Sequence, residues 1–282
     1  MREDEVARSN RRHWDRMVRE GCGYTVPWLD LDRERIADLG AAPPSGMPEL
    51  GAVCSFVRGM NLANRDVLCL ASGGGQQSAV FGLLGARVTV VDIAEGQLDG
   101  DRRAAAHYGY DVRTVRADMR DLSCLDANGF DLVYGTVLCY VPDVRTVFAQ
   151  VARVLRFGGL YRTDAHQPAV HSVDWDGRKY CVGRAYADRS NTRDDGAIEF
   201  RHYMDDLFSG LIDAGFSILR VEDLARDWQP VPDAGWGTWA HQEPYIGGQF
   251  SILARNGNGA ATQDLHLVPM RRTDSGEFHQ DG

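Results

Sequence analysis

The chain has 282 residues, of which 44% are hydrophobic and 25% are charged, and its formal net charge is −9 at pH 7. This negative balance disfavours nucleic acid or an anionic membrane surface as a partner. No apolar run approaches the roughly 20 residues that cross a bilayer, and residues 1–5 lack the apolar stretch of a signal peptide, so we expect a cytoplasmic protein.

The six cysteines are widely spaced and include no C-x-x-C pair. Several lie inside apolar segments, where a free thiol behaves as a small hydrophobic side chain. The sequence therefore predicts neither a disulfide framework nor a zinc site. No Ser-His-Asp or metal-ligand spacing stands out either, so neither a hydrolase nor a metal-dependent enzyme is favoured.

The first 59 residues have a helical pattern broken by loops. Residues 1–20 predict a helix, on which Trp14 either covers a ligand or packs against the core. Residues 21–28 mix helix breakers with aromatic side chains, which is typical of a loop or a lid. A second helix is predicted over 49–59. We expect residues 1–59 to form a helical lid or cap.

A glycine-rich turn, Ala71-Ser72-Gly73-Gly74-Gly75, follows a predicted strand over 66–71 and precedes a predicted helix over 76–85. Glycine has no Cβ and tolerates positive φ, so a ligand can lie directly against the backbone of such a turn. The same pattern also fits an ordinary tight connection between a strand and a helix.

A second predicted strand, over 87–92, ends in Asp92. In a nucleotide-binding βαβ unit, an acid at this place, about 20 residues after the glycines, accepts hydrogen bonds from both ribose hydroxyls. The alternative is that Asp92 caps the next helix, because aspartate is also favoured there. The glycine turn before it favours the ribose role.

Asp118 and Met119 follow a third predicted strand, over 112–116. A carboxylate next to an apolar side chain suits adenine, because the carboxylate takes the exocyclic amine and the apolar side chain packs on the ring. The alternation of strand and helix predicts a parallel, doubly wound sheet with ligands at the carboxyl ends of its strands. The remaining elements predicted here are a helix over 94–108, a strand beginning at Phe130, a helix over 143–155, a turn over 156–159 and a strand over about 160–165.

This succession resembles the class I S-adenosylmethionine-dependent methyltransferases in order and spacing over residues 60–165. Residues 206–222 resemble the late helix and sixth strand of that family, and residues 249–255 resemble its closing strand. The resemblance implies an α/β fold with a doubly wound, mostly parallel, seven-stranded sheet of the Rossmann-like type. A nicotinamide dehydrogenase is less favoured, because the turn is not a clean G-x-G-x-x-G.

The resemblance also implies S-adenosylmethionine as the cofactor and S-adenosylhomocysteine as its product. Many family members have an acid at the position of Cys69 and a glycine at that of Ala71, so other groups have to hold the methionine end. The cofactor-binding residues that the resemblance implies are Ala71, Ser72, Gly73, Gly75, Gln77, Asp92, Ile93, Gln97, Asp118, Met119, Gly135 and Trp14.

Residues 166–255 combine an aromatic-rich insertion with the final strands, and residues 256–282 predict a flexible tail. The aromatic side chains suit an apolar or aromatic small-molecule substrate, or they form the core of the insertion. His166 is the first candidate for a base, because histidine titrates near neutral pH. Further catalytic candidates are His202, Tyr203, His241 and, from the lid, Tyr24.

Two functions remain open from the sequence. The first is methyl transfer to a small organic molecule, in natural-product metabolism, by in-line displacement in a pocket that excludes water. The second is a protein of the same fold that binds the cofactor without transferring its methyl group, as a regulatory module or a sulfonium-dependent cyclase. Self-association is compatible with both.

Overall fold

The computed structural model describes most of the chain, namely residues 4–41, 48–135, 137–224, 235, 238–257, 271–272 and 278–279. Its strands are β1 Asp66–Leu70, β2 Arg87–Asp92, β3 Val112–Arg116, β4 Phe130–Gly135, β5 Leu155–His166, β6 Val173–Trp175, β7 Tyr180–Val182, β8 Ser190–Thr192, β9 Ile198–Phe200, β10 Phe216–Asp223, β11 Gln249–Asn256, β12 Arg271–Arg272 and β13 Phe278–His279. Its α-helices are α1 Glu5–Arg19, α2 Arg33–Ala41, α3 Pro48–Val57, α4 Gln77–Leu83, α5 Glu95–Tyr108, α6 Val144–Val154, α7 Met204–Asp213 and α8 Trp239–Ile246.

The main sheet has seven strands in the order β10-β11-β5-β4-β1-β2-β3. Its first five strands in chain order run parallel to one another, and β11 lies antiparallel between β5 and β10. This confirms the predicted doubly wound, mostly parallel, seven-stranded sheet. The carboxyl ends of the parallel strands therefore meet at one edge, where ligands bind in such sheets.

Strand β1 lies at the centre of the sheet and is buried on both faces, as parallel strands are when helices cover both sides. Leu68 and Leu70 belong to the core that α6 and α7 close. Val67 and Cys69 belong to the opposite core, under α3, α4 and α5. The apolar run that predicted this strand is thus divided residue by residue between two cores.

Strand β5 begins earlier than the sequence predicts, at Leu155, and the predicted turn over 156–159 lies inside it. The pairing of β5 with β4 shifts between Leu155 and Leu160, so the intervening residues bulge from the ladder. The side-chain amide of Asn256 donates to the carbonyl oxygen of Leu155, at 3.1 Å, and so supports the bulge. The expected turn was therefore wrong, since the glycines shape an irregular strand.

The insertion between β5 and α7 contains two antiparallel hairpins, β6-β7 and β8-β9, which the sequence did not predict individually. Helix α1 reaches this insertion through Asn10, whose side-chain amide donates to the carbonyl oxygen of Ile198, at 3.0 Å, and accepts from the Ile198 amide, at 2.7 Å. Most of the predicted tail over 256–282 lies outside the described residues. Every helix that the structure describes is too short or too polar to span a bilayer.

Candidate active site

The turn after β1 has a backbone that glycine makes possible. Ala71, Gly73, Gly74 and Gly75 all have positive φ, between 48° and 82°. Glycine adopts this left-handed conformation without steric cost, whereas other residues rarely do. The Ala71 amide donates to the carbonyl oxygen of Val91, at 2.8 Å, and so fixes the turn beside β2.

The glycine turn lies in direct backbone contact with α5. A Cβ on Gly75 would lie 2.3 Å from the carbonyl oxygen of Gly100, and a Cβ on Gly100 would lie 2.5 Å from that of Gly74. Asp101, on the same helix, accepts hydrogen bonds at one carboxylate oxygen from the Gly75 amide, at 3.0 Å, and from the Ser78 hydroxyl. Burial raises the pKa of Asp101 to about 7.

Asp92 ends β2 at the same edge of the sheet and is 7% exposed. Its carboxylate accepts a hydrogen bond from the Ala94 amide, at 2.9 Å, and burial raises its pKa to about 6. The N-cap of α5 is Ala94. The interpretation of Asp92 as a helix cap is therefore wrong, and this carboxylate lies buried beside the glycine turn.

Polar side chains of α4 and α5 surround the turn. Gln97 is buried, and its side-chain nitrogen lies 3.2 Å from the place of a Cβ on Gly73. In the described part of the chain, the side-chain oxygens of Gln97 and Gln77 are buried without a hydrogen-bond partner. Ser72 is also buried, and Ile93 is half-buried. Buried acceptors of this kind suit a ligand that carries N–H or O–H groups.

The carboxylate of Asp118 forms an ion pair with Arg120, a contact that the sequence did not predict. The guanidinium of Arg120 lies 2.6 Å from one oxygen of Asp118 and 2.8 Å from one oxygen of Asp4, which caps α1. Asp118 raises the pKa of Arg120, and Arg120 lowers the pKa of Asp4. Met119, next to Asp118, packs half-buried against the core under α6 and α7.

The end of β4 lies close to β1, since a Cβ on Gly135 would lie 2.9 Å from the carbonyl oxygen of Leu70. Beyond β4, a 3₁₀ turn over Leu138–Tyr140 carries Tyr140, against which Trp14 packs edge-on at 5.7 Å between ring centroids. Trp14 of α1 is thus placed against the segment that follows β4.

The N-terminal segment lies directly on the glycine turn. The side-chain amide of Gln76 donates to the carbonyl oxygens of Gly23, at 2.7 Å, and of Val26, at 3.0 Å. A Cβ on Gly74 would lie 2.7 Å from the backbone of Thr25. Tyr24 approaches the turn with its carbonyl oxygen, while its side chain is 57% exposed. The structure does not bring the phenol of this candidate to the site.

Histidine side chains meet beyond the ends of β4 and β5. His166, His171 and His202 line a narrow recess of about 10 Å³. We call it the histidine recess. His166 Nδ1 lies 2.9 Å from His171 Nε2, and His202 Nε2 lies 3.0 Å from the carbonyl oxygen of Leu138. Burial lowers the pKa of all three rings, that of His166 to about 3.

Tyr203 and His241 lie elsewhere. The Tyr203 hydroxyl donates to the carbonyl oxygen of Tyr186, at 3.3 Å, and the two rings stack. His241 stacks on Tyr245 and meets the Tyr180 hydroxyl, so it belongs to an aromatic cluster of the insertion. Neither residue lines the histidine recess. The side chains of Trp228, Trp236 and Trp239, predicted near the substrate, lie outside the described part of the chain.

The sequence analysis missed three residues of the candidate active site. Asp101 had a weak signal, since it is a charged residue on the face of α5 that carries the buried Leu98 and Ala105. Arg120 and His171 had none, because their partners are set by tertiary packing. Among the described residues, no group of three or more His, Cys, Asp or Glu side chains is arranged to hold a metal ion.

Comparisons with known proteins agree with this geometry. A family profile described as a methyltransferase domain matches residues 68–163. The uncharacterized methyltransferase YbaJ of Bacillus subtilis (strain 168) is 31% identical over 228 residues, which cover 74% of this chain and 87% of that protein.

Solved structures show the same fold. An S-adenosylmethionine-dependent methyltransferase from Mesorhizobium loti superposes with a TM-score of 0.60 at 23% identity, covering 74% of this chain and 98% of that one. Geranyl diphosphate C-methyltransferase from Streptomyces coelicolor A3(2), solved with Mg²⁺, geranyl diphosphate and S-adenosyl-L-homocysteine, gives a TM-score of 0.60 at 17% identity, covering 90% and 98%. The chain therefore belongs to the class I S-adenosylmethionine-dependent methyltransferases, and S-adenosylmethionine is its cofactor.

Proposed function

We propose that this methyltransferase acts on a small organic molecule of natural-product metabolism. The observation that carries the proposal is the histidine recess, which opens at the edge of the sheet that also carries Asp92 and the glycine turn. This recess, of about 10 Å³, has room for a water-sized group and none for a folded polymer. Geranyl diphosphate, bound in the related Streptomyces coelicolor structure, is a small organic substrate of that protein.

The residues at the sheet edge fit the cofactor. Asp92 presents a buried carboxylate at the place where ribose hydroxyls donate, and Gln77 and Gln97 present buried oxygens without a partner among the described residues. The glycines of the turn let other backbone approach it closely, since a Cβ on Gly74 would meet Thr25 and a Cβ on Gly75 would meet Gly100. When bound, S-adenosylmethionine supplies a methyl group on a cationic sulfur, ready for in-line displacement.

Each part of the site then has a task. Asp92 accepts hydrogen bonds from the ribose, and Asp118, held in place by Arg120, accepts from the exocyclic amine of adenine while Met119 packs on the ring. The remaining groups surround the methionine end and the ribose; they are Trp14, Ala71, Ser72, Gly73, Gly75, Gln77, Ile93, Gln97 and Gly135.

The N-terminal segment and the insertion keep water away from the reaction. The segment 23–28 lies on the glycine turn, and α1 is hydrogen-bonded through Asn10 to β9 of the insertion. Together they cover the sheet edge from two sides, so they act as a lid. A cytoplasmic location and self-association stay predictions.

Transfer of a labelled methyl group tests the proposal. The protein is incubated with methyl-labelled S-adenosylmethionine and a fractionated metabolite extract, and we expect the label in a small-molecule fraction. Label that enters only protein or nucleic acid would contradict the small-molecule substrate. Tight binding of the cofactor without any transfer would favour a binding protein or a cyclase of the same fold.

A further inference from the structure

Two buried carboxylates from different elements lie beside the glycine turn. Asp92 ends β2 and is 7% exposed, and Asp101 of α5 is 1% exposed. Burial raises the pKa of Asp101 to about 7, and the charge of Asp92 adds to that shift. Burial, and in smaller part the charge of Asp15, raise the pKa of Asp92 to about 6. Such carboxylates are costly unless donors or an opposite charge balance them, so their partners indicate which ligand suits the turn.

No cation of the protein balances the two carboxylates. Within the described residues, neither Asp92 nor Asp101 forms an ion pair. Arg102 follows Asp101 on α5 and acts against the effect of burial on its pKa. The guanidinium of Arg102, however, lies at the surface, where it pairs with Glu95 at 2.8 Å and with Asp99 at 2.5 Å. A positive charge that balances Asp101 is therefore left for a ligand to supply.

Hydrogen bonds balance one of the two oxygens of Asp101. The Gly75 amide and the Ser78 hydroxyl both donate to Oδ1. Oδ2 is buried and has no hydrogen-bond partner in the part of the chain that the structure describes. Asp118, after β3, differs from Asp101 because Arg120 pairs with it. Asp101 thus leaves negative charge uncompensated beside the glycine turn.

The other titratable groups near Asp101 are neutral. Burial, and then the charge of Asp101, raise the pKa of the Cys69 thiol, so this residue of β1 keeps its proton. Burial also raises the pKa of Tyr110, whose hydroxyl donates to Ser78 Oγ at 3.3 Å. These neighbours leave the charge of Asp101 unbalanced.

We propose that Asp101 sets the preference of the site for the cationic cofactor over its product. S-adenosylmethionine carries a sulfonium, whereas S-adenosylhomocysteine has a neutral thioether at the same place and hence one positive charge fewer. A buried, unbalanced carboxylate attracts the more positive ligand more strongly, because the charges are poorly screened there. Asp101 acts through its electric field, so it determines specificity without being a catalytic residue. This inference rests on the proposed function, in which the cofactor lies at the glycine turn.

The same charge favours turnover in one direction. Transfer of the methyl group leaves the sulfur neutral, so the attraction to Asp101 is weaker for the product than for the cofactor. Asp101 therefore favours exchange of S-adenosylhomocysteine for a new S-adenosylmethionine.

Calorimetric titration with both ligands at about pH 8 tests the preference. Asp101→Asn keeps an acceptor for Gly75 and Ser78 and removes the charge. We expect affinity for S-adenosylmethionine to fall about 10-fold and affinity for S-adenosylhomocysteine about 2-fold, so their ratio falls about 5-fold. Partial unfolding would weaken both ligands alike, so the ratio separates charge from packing. Asp99→Asn, which removes an exposed carboxylate of the same helix, should leave the ratio unchanged.

Two outcomes of this titration would overturn the role of Asp101. One is an unchanged ratio in Asp101→Asn, and the other is an equal change in Asp99→Asn, which would reflect net charge alone. Either result would leave the placement of the cofactor intact. That placement would be contradicted separately, if Asp92→Ala bound S-adenosylmethionine as tightly as the wild type.

The pH dependence of the same ratio tests the charge in the unaltered protein. Because the pKa of Asp101 is about 7, the preference of the wild type for S-adenosylmethionine should rise about 5-fold from about pH 6 to about pH 8. Asp92, with a pKa of about 6, and the amino groups of the ligands titrate in Asp101→Asn as well. The difference between the two proteins therefore reports Asp101. A preference that stays constant in the wild type, or rises equally in Asp101→Asn, would overturn the inference.

Ser78→Ala moves this titration while keeping the carboxylate. The Ser78 hydroxyl opposes the effect of burial on the pKa of Asp101, because it donates to the charged form. Without this donor the pKa of Asp101 should be higher. The rise in preference should therefore occur at a higher pH than in the wild type, and an unshifted rise would contradict the role of Asp101.

Discussion

The side chains around the predicted cofactor come from one stretch, Ala71 to Gly135, together with α1, whereas the histidine recess joins Leu138, residues 165–171 and residues 200–207. The first region depends on backbone contacts and buried carboxylates. The second depends on buried rings, with a hydrogen bond between His166 and His171 and another between His202 and the carbonyl oxygen of Leu138. Because of this difference, we expect substitutions in the first region to affect folding and cofactor binding together. Substitutions in the second region should affect the reaction alone.

Gly75→Ala should have the largest effect on stability. The new Cβ would lie 2.3 Å from the Gly100 carbonyl oxygen, at a residue whose φ is +82°, so we expect a loss of about 3 kcal/mol in the free energy of unfolding. Urea unfolding measures it. Gly109→Ala is the control, because its φ is +74° with nothing within 4 Å of the new Cβ, and it should cost about 1 kcal/mol. Equal losses would show that α5 does not constrain the turn.

Asp101→Ala should cost about 2 kcal/mol, because the Gly75 amide and the Ser78 hydroxyl lose their acceptor. Asp101→Asn keeps an acceptor oxygen and removes the buried charge, so it should be better tolerated. Urea unfolding of both variants at pH 7 measures the difference. If the two variants lose the same stability, the hydrogen bonds of Asp101 do not hold the turn.

The pH dependence of stability sharpens this test. The folded pKa of Asp101 is about 7, above its ordinary value of 3.8, so the native protein binds more protons than the unfolded chain between those values. The contribution of Asp101 to stability should therefore fall as the pH rises from about 4 to about 7, while buried His166, whose pKa is lowered to about 3, acts in the opposite direction. In Asp101→Asn this pH-dependent decrease in stability should be absent. Identical pH profiles of wild type and variant would contradict the buried charge.

Local patterns predicted the elements around Asp92 because those elements follow one another directly in the chain. Asp92 was visible because a strand, a glycine turn and an acid follow one another in the chain, and the structure places them at one edge. The prediction of a turn over 156–159 was wrong, because a Gly-Gly pair such as Gly158-Gly159 is compatible with a turn and with a bulge. The bulge is hydrogen-bonded by the side chain of Asn256, which lies far away in the sequence and is not visible in the local pattern.

The acceptor region could be predicted only in part. His166 was visible because it follows a predicted strand, but its partner His171 was not, since nothing in the sequence shows that the chain turns back there. His202 was named without its contact to Leu138, which lies 64 residues away. Arg120 was missed because Asp4, its second partner, is 116 residues away.

Arg120→Gln should have a smaller effect, of about 1 to 2 kcal/mol, because it breaks the partly buried link from Asp118 to Asp4. We expect faster hydrogen exchange in α1, since the cap of that helix loses its tie to the sheet edge. Arg102→Gln is the control, because its pairs with Glu95 and Asp99 are exposed and should contribute less than about 1 kcal/mol. Unchanged exchange in α1 would contradict the link.

Calorimetric titration with S-adenosylmethionine, comparing the wild type with Asp92→Ala, tests the central claim most directly. Asp92→Ala removes a buried charge but also the acceptor of the Ala94 amide, so urea unfolding of the variant is measured beside the titration. We expect the wild type to bind and the variant to lose at least about 10-fold in affinity, because the ribose loses a charged acceptor. Equal affinity of the two proteins would contradict the placement of the cofactor at this edge of the sheet.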